Sequence, residues 1–179
     1  MDNFAEFVKL ATQYEVYLMP TLQRFHCNSH FHQFLSNLNR SVISESNSDY
    51  LFEPIVQAKA IYAASFAQAL LDRVGKEYMS TIFGFSLENE ARGWGNEPPF
   101  SNLDLVVPDL NGQLRDMHDP DQRRGLLDVG FEGWANTSAA AIRQVDPEAM
   151  VTAGMFTYYA VGWPNISPPG PVHGWCVIV

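Results

Sequence analysis

Hydrophobic and polar residues alternate along the chain with two periods, one typical of helices and one typical of strands. Asp2 is expected to cap a first helix, because apolar residues recur after it at spacings of three and four through Tyr14. Pro54 suits the first turn of a second helix, and Gly75 is a natural end for it. Each of these helices presents one apolar face, so both are expected to pack against a core.

A third helical pattern begins at Asp119-Pro-Asp-Gln122, which has the form of a capping box. Its apolar stripe includes Trp134, which is therefore expected in the core rather than in a binding site. The pattern also contains Gly125, Gly130 and Gly133. Because glycine disfavours a helix, these residues are expected to divide the segment in two.

Short apolar runs at 16–19, 82–87, 150–156 and 176–179 predict strands between the helices. Single helices between strands imply parallel strands joined by right-handed crossovers, hence an α/β fold. A part of an eight-stranded barrel and an open flavodoxin-like sheet both fit, although no glycine-rich phosphate loop follows any strand. A loop of roughly 25 residues after the second strand is long enough to suggest function.

Composition narrows the class of protein. The chain has 179 residues, 46% of them hydrophobic, and a net charge of -9, so we expect one domain over 1–179 and no nucleic-acid partner. No apolar run approaches the ~20 residues that span a bilayer, so no membrane partner is expected, and no signal peptide is visible. The compartment and the oligomeric state stay open. Cys27 and Cys176 are too few for a disulfide framework or a metal knuckle.

The apolar run at 82–87 ends in Glu88, Asn89 and Glu90. In a strand, Glu88 and Glu90 would share one side while Asn89 faces across. Parallel neighbours cannot flank a sugar bond, whereas a retaining glycosidase holds its two carboxyls ~5–5.5 Å apart on opposite sides of it. One glutamate would therefore need a partner from elsewhere. The simpler alternative is a strand whose polar end is only solvated.

An apolar strand that ends in Asn-Glu resembles the fourth strand of clan A glycoside hydrolases, and most of all the family 5 cellulase and mannanase group. The segments 16–22 and 142–154 resemble the regions of the third and fifth strands of that family. The resemblance implies a partial TIM (β/α)8 barrel with parallel strands, approximately from helix 2 to strand 5 or 6. It also implies retaining hydrolysis of a β-linked oligo- or polysaccharide such as glucan or mannan, without cofactor or metal.

The same resemblance assigns roles to the residues of the motif. Glu90 matches the general acid/base, Asn89 matches the residue that binds the hydroxyl next to the reacting carbon, and Glu88 is expected to support them. The family's nucleophile strand has no counterpart here, so the isolated chain is expected not to hydrolyse glycosides. The alternative is a non-catalytic, truncated barrel that at most binds carbohydrate.

Two residues of the following loop are further candidates. Trp94 could stack on the apolar face of a sugar, or it could simply pack against the protein. Arg92 could contact substrate, but an ion pair with Glu88 or Glu97 is the better expectation.

A histidine-rich segment offers a last candidate. His26 and His30 have the spacing of four that zinc ligands adopt on a helix, but no carboxylate or second histidine pair completes a set. In the family 5 enzymes a histidine of the corresponding loop lines the sugar site, which makes His26 and His30 candidate substrate contacts. A solvated loop is the simplest interpretation.

Overall fold

Two long helices pack against each other in the structure, a computed structural model that describes residues 1–23, 31 and 33–155. The helices are α1 (Asp2–Gln13), α2 (Ser48–Leu51), α3 (Glu53–Val74), α4 (Lys76–Met79) and α5 (Pro120–Arg143), with a 3-10 turn at Gln33–Leu35. The strands are β1 (Phe85–Ser86), β2 (Val106–Pro108), β3 (Leu114–Asp116) and β4 (Val151–Thr152). The long pair consists of α3 and α5, and α2 packs against both.

Helix α1 forms where its apolar spacing predicts it, but its beginning differs from the prediction. Asp2 is the first helical residue, and no side-chain hydrogen bond within the described residues caps the helix. The carboxylate of Asp2 instead accepts a hydrogen bond of 2.7 Å from Nε of Arg73, at the surface. The buried face of α1 consists of Ala5, Val8 and Ala11.

Helix α3 confirms the prediction made from its two ends. It begins one residue before Pro54, whose missing N–H is harmless in a first turn. It ends before Gly75, where φ is +83°, a conformation that residues with a side chain rarely adopt.

The beginning of α5 is also confirmed. Oδ1 of Asp119 accepts hydrogen bonds from the backbone N–H groups of Asp121 at 2.8 Å and Gln122 at 3.4 Å. The Gln122 side chain donates back to Oδ2 of Asp119 at 3.0 Å. These bonds satisfy N–H groups that have no partner inside a helix.

The prediction that glycines divide α5 is wrong, because the helix is continuous from Pro120 to Arg143. A Cβ atom on Gly130 would lie 2.7 Å from Cδ2 of Leu51 and 2.9 Å from the backbone oxygen of Tyr50. The helix therefore uses glycine for close approach to α2. The helix penalty of one glycine is about 1 kcal/mol, and this packing outweighs it.

Gly130→Ala is therefore expected to lower the free energy of unfolding by about 1–2 kcal/mol, since overpacking against fixed backbone exceeds the gain in helix propensity. Gly125→Ala in the same helix is the matched control. Its Cβ would meet only the guanidinium of Arg115, with Nη1 nearest at 3.1 Å, and a side-chain end can give way by a few tenths of an ångström more easily than backbone. Urea denaturation should show Gly125→Ala as neutral or slightly stabilising. Equal effects of the two changes would contradict this interpretation of Gly130.

The predicted partial barrel of parallel strands is wrong. The strands form two separate sheets of two strands each, β1 with β4 in parallel and β2 with β3 in antiparallel orientation. Outside these sheets, pairing in the described residues is limited to isolated parallel bridges at Leu18–Ile82, Thr21–Ser86 and Ala91–Met155. The runs at 82–87 and 150–156 thus form only two-residue strands, and the run at 16–19 forms one bridge at Leu18. The predicted strand at 176–179 lies outside the described residues. The packing of α3 with α5 provides the centre of the core. An apolar run indicates burial but does not fix how long a ladder it forms.

The long loop after β1 contains the hairpin of β2 and β3, which the sequence analysis missed. Asp109 organises its turn, because Oδ1 accepts from the N–H groups of Asn111 at 2.9 Å and Gln113 at 3.0 Å, and Oδ2 accepts from Nε of Arg115 at 2.9 Å. Burial would raise the pKa of Asp109, but the hydrogen bonds from Arg115 and the backbone outweigh it and hold that pKa below its ordinary value. Gly112 supplies the left-handed position at φ +80°.

The aromatic centre of the core lies between α2 and α5. The ring of Trp134 contacts the ring of Tyr50 edge-on at 5.1 Å and lies 6.4 Å from that of Phe131. Trp134 is almost fully buried, which confirms its predicted place in the core. In the part of the chain that the structure describes, no helix is both long and apolar enough to cross a membrane.

Candidate functional site

Asn89 and Glu90 form a turn, called here the Asn89–Glu90 turn, which two residues separate from the carboxyl end of β1. Both of its ends are fixed by hydrogen bonds to Gly154. The N–H of Gly154 donates to the backbone oxygen of Glu88 at 2.9 Å, and the N–H of Ala91 donates to the backbone oxygen of Gly154 at 2.7 Å. The turn is therefore a short exposed segment between two fixed backbone positions.

Glu90 has a left-handed backbone, with φ +58°. Glu15 has a similar φ of 55°, but it ends α1 in the usual way, with the N–H of Val16 donating to the backbone oxygen of Ala11 at 2.9 Å. No helix ends at Glu90. This conformation costs a residue with a side chain on the order of 1–2 kcal/mol, and such strain often marks functional positions.

The side chains of Asn89 and Glu90 are exposed. Within the described residues, the carboxylate of Glu90 forms no hydrogen bond or ion pair, so it faces solvent. An exposed carboxylate next to an exposed amide can accept and donate hydrogen bonds to a ligand. Asn89 and Glu90, which are adjacent in sequence, are thus both available at the surface.

Glu88 points the other way, so the prediction that it shares a side with Glu90 is wrong. Glu88 is 5% exposed, whereas Glu90 lies on the surface. The alternation of a strand does not reach Glu90, because β1 ends at Ser86 and the chain then turns. Glu88 and Glu90 therefore differ in environment and cannot act as one pair of carboxylates.

A buried ion cluster surrounds Glu88. Nζ of Lys59 donates to Oε2 of Glu88 at 2.7 Å and lies 3.8 Å from Oδ2 of Asp49. The same Nζ lies over the rings of Trp134, at 4.6 Å, and Tyr50, at 4.9 Å. Lys59 is 4% exposed, so the cluster joins α3 to the carboxyl end of β1 inside the core.

Arg92 and Trp94 follow the turn and contact each other. The guanidinium of Arg92 lies over the indole ring of Trp94, 3.9 Å from its centroid. Trp94 is half-buried, and one face of its ring is covered by Arg92. A sugar could stack only on the remaining face.

The loop that carries Trp94 is fixed by Asn47. Its Oδ1 accepts from the N–H of Trp94 at 2.8 Å, and its Nδ2 donates to the backbone oxygens of Trp94 at 3.1 Å and Pro98 at 2.9 Å. Asn47 is fully buried, so these bonds are shielded from water. They satisfy an amide whose burial would otherwise be unfavourable.

Three residues of the site were missed in the sequence analysis: Asn47, Asp49 and Lys59. Asn47 and Asp49 occur in a polar segment that has the composition of a solvated loop. Lys59 carried a usable signal, because it lies four residues after Ile55 and four before Ala63, on the buried face of α3. A lysine at such a position usually has a buried acidic partner.

Two other predicted contacts, His26 and His30, lie outside the described residues. Among the described residues, no group of three His, Cys, Asp or Glu side chains could hold a metal ion.

A concave surface lies away from the turn, at the amino end of β1. It is an open cleft of about 370 Å³, with Tyr17, Phe83 and Met150 on its walls and Lys76 and Glu148 among its charged residues. Because β1 and β4 run in parallel, this cleft and the Asn89–Glu90 turn lie at opposite ends of the sheet. The cleft therefore contains none of the candidate catalytic or substrate-binding residues.

No protein-family model matches the chain, and neither a curated protein nor a solved structure is significantly similar to it.

Proposed function

We propose that the protein binds a neutral β-linked oligosaccharide through the Asn89–Glu90 turn. One observation carries this proposal. Glu90 is held in a left-handed conformation at the surface, between two backbone positions that are fixed by Gly154. A strained, exposed carboxylate that is fixed in this way is prepared for a ligand rather than for packing.

The chemistry of the turn fits a sugar. The carboxylate of Glu90 accepts hydrogen bonds from hydroxyl groups, and the amide of Asn89 both donates and accepts. Trp94 adds a partly exposed ring beyond the turn, suited to the apolar face of a pyranose. The net charge of -9 favours a neutral ligand over a phosphorylated or sulfated one. The resemblance of the Asn-Glu motif to family 5 glycoside hydrolases supports the same class of ligand.

In this proposal Glu90 keeps the role that the resemblance assigns to it, the general acid/base of a retaining glycoside hydrolase. That reaction also needs a second carboxylate ~5–5.5 Å from the first, on the other side of the bond. Glu88 cannot serve, because it is buried and paired with Lys59. We therefore expect the chain alone to bind glycan without hydrolysing it, which keeps the carbohydrate binding of the non-catalytic alternative but not its truncated barrel. Glu90 would protonate a leaving group only when a nucleophile is supplied.

Titration calorimetry with cellohexaose and mannohexaose tests the proposal. At least one of them should bind saturably, and Asn89→Ala should weaken binding about tenfold, because it removes hydrogen bonds worth about 1.4 kcal/mol. Asn111→Ala, an exposed asparagine in the turn between β2 and β3, is the matched control and should leave the affinity unchanged. The proposal fails if neither glycan binds, or if the two variants bind equally well.

A further inference from the structure

We infer that Lys59 is a positioning residue for the Asn89–Glu90 turn and that it acts through Glu88. This inference rests on the proposed function of that turn. In this inference Lys59 determines the position of Glu90 at the surface but does not contact the ligand.

The first step is the ion pair by which Lys59 fixes the side chain of Glu88. Lys59 lies within α3, a helix of 22 residues, so its backbone is rigid. Its ammonium group bonds the carboxylate of Glu88 at 2.7 Å in a site from which water is largely excluded. Charge-assisted hydrogen bonds are stronger than neutral ones, and low local polarity strengthens them further. Glu88 is therefore fixed relative to α3.

The second step runs from Glu88 to Glu90 along the backbone. The backbone oxygen of Glu88 accepts from the N–H of Gly154 at 2.9 Å and from Oγ of Ser86 at 3.2 Å. A Cβ atom on Gly154 would lie 3.0 Å from that oxygen, so the two chains are in close contact. The side chain and the carbonyl of Glu88 are thus both fixed, and Asn89 alone separates it from the strained Glu90. The strained conformation persists because its surroundings allow no alternative.

Stability alone gives no reason to keep such a cluster. Replacing a complete buried ion pair by apolar residues of similar size is often neutral or stabilising, because charges are expensive to remove from water. The ion pair fixes the orientation of the Glu88 carboxylate, because a hydrogen bond has a preferred geometry. An apolar contact would not fix that orientation. The direction of Glu88 determines how the chain enters the turn.

Two variants of equal length at position 88 test the inference. Glu88→Gln keeps an oxygen that accepts from Lys59, whereas Glu88→Met does not. In both variants Lys59 keeps Asp49 as its countercharge, 3.8 Å away. In titrations with the hexasaccharide that binds the wild-type protein, Glu88→Gln should stay within about threefold of wild-type affinity, and Glu88→Met should bind at least about tenfold more weakly. The inference is overturned if folded Glu88→Met binds as tightly as Glu88→Gln.

Two additions keep the test decisive. Should Glu88→Met fail to fold, the triple variant Asp49→Asn/Lys59→Met/Glu88→Met removes all three charges of the cluster, so that no buried charge is left without Lys59, and the same affinity loss is expected. Should the wild-type protein bind no glycan, the proposed function fails, but the inference is still judged without ligand. In ¹⁵N spectra the amide signals of Glu90 and Ala91 should move in Glu88→Met and stay in place in Glu88→Gln, while that of Gly112 in the hairpin is unchanged in both. Unmoved signals of Glu90 and Ala91 in Glu88→Met would overturn it.

Discussion

Replacing Lys59 by methionine is expected to lower the free energy of unfolding by about 3–5 kcal/mol, the range found when one partner of a buried ion pair is removed. The reason is the environment of the two carboxylates that Lys59 contacts. Glu88 and Asp49 are both buried, and without the ammonium group each would lack this countercharge in a site of low polarity. The two aromatic rings below Lys59 cannot stabilise a negative charge, since their faces are themselves electron-rich.

Lys9→Met is the control for this prediction. Lys9 forms a pair of 3.3 Å with Glu6, but the pair is on the surface of α1. Surface pairs contribute on the order of 0–1 kcal/mol, so this change should be close to neutral. Urea denaturation of both variants measures the difference directly. A loss below about 1 kcal/mol for Lys59→Met would show that the cluster is not an effective buried ion pair.

The helices could be predicted from the sequence because their determinants are local. Pro54, Gly75 and Asp119 act on residues within a few positions of themselves, and α3 begins and ends, and α5 begins, as those residues predict. The effect of Gly130 on α5 was predicted wrongly because it depends on a contact with residues far away in the sequence. The intrinsic preference of glycine indicates a break, but the approach of α2 decides the outcome, and that contact is made across a long stretch of sequence.

The sheets could not be predicted in the same way. Hydrophobic runs located β1 and β4, but how far two strands pair depends on residues far apart in sequence. Parallel pairing in the described residues stops after two residue pairs in β1 and β4 and continues only as isolated bridges. The prediction of a partial barrel inferred long strands from the order of helices and strands alone. It was wrong because the order of the elements does not determine how long the strands are.

In the candidate site, too, some features could be predicted from the sequence and others could not. Asn89 and Glu90 could be found from sequence, because polar residues directly after an apolar run indicate a strand end. The opposite directions of Glu88 and Glu90 could not, because they follow from the early end of β1 and from the bonds to Gly154. Lys59 was recognisable as an unusual residue on a buried face, but its partner was not.

Glu90→Gln is the second change with a large expected effect, and it concerns chemistry rather than stability. Glutamine has nearly the size of glutamate and keeps an acceptor, so the turn should stay intact, but it cannot transfer a proton. General acid catalysis contributes about 10²–10⁴-fold to a rate when the leaving group needs a proton. Phenol, with a pKa of about 10 like the tyrosine side chain, is such a leaving group. Dinitrophenol is far more acidic and leaves without protonation, so its release should depend little on Glu90.

An external nucleophile allows this role to be measured in the chain alone. Azide can attack the anomeric carbon of a phenyl β-glycoside from the face opposite the leaving group, while the protonated form of Glu90 gives its proton to the departing phenolate oxygen and is reprotonated by the solvent. The products are an α-glycosyl azide and phenol. The sugar part should be an oligosaccharide of the kind that binds in the titrations, and a dinitrophenyl glycoside of the same sugar serves as the control substrate.

The rate of azide-dependent phenol release, compared between the wild-type protein and Glu90→Gln, tests the proposed role of Glu90 most directly. We predict that the wild-type protein forms the α-glycosyl azide and that Glu90→Gln forms it at least about 100 times more slowly, with dinitrophenol release much less affected. Phenol release at the same rate by both proteins, or no azide-dependent release by a wild-type protein that binds the glycan, would contradict the assignment of Glu90 as a general acid/base.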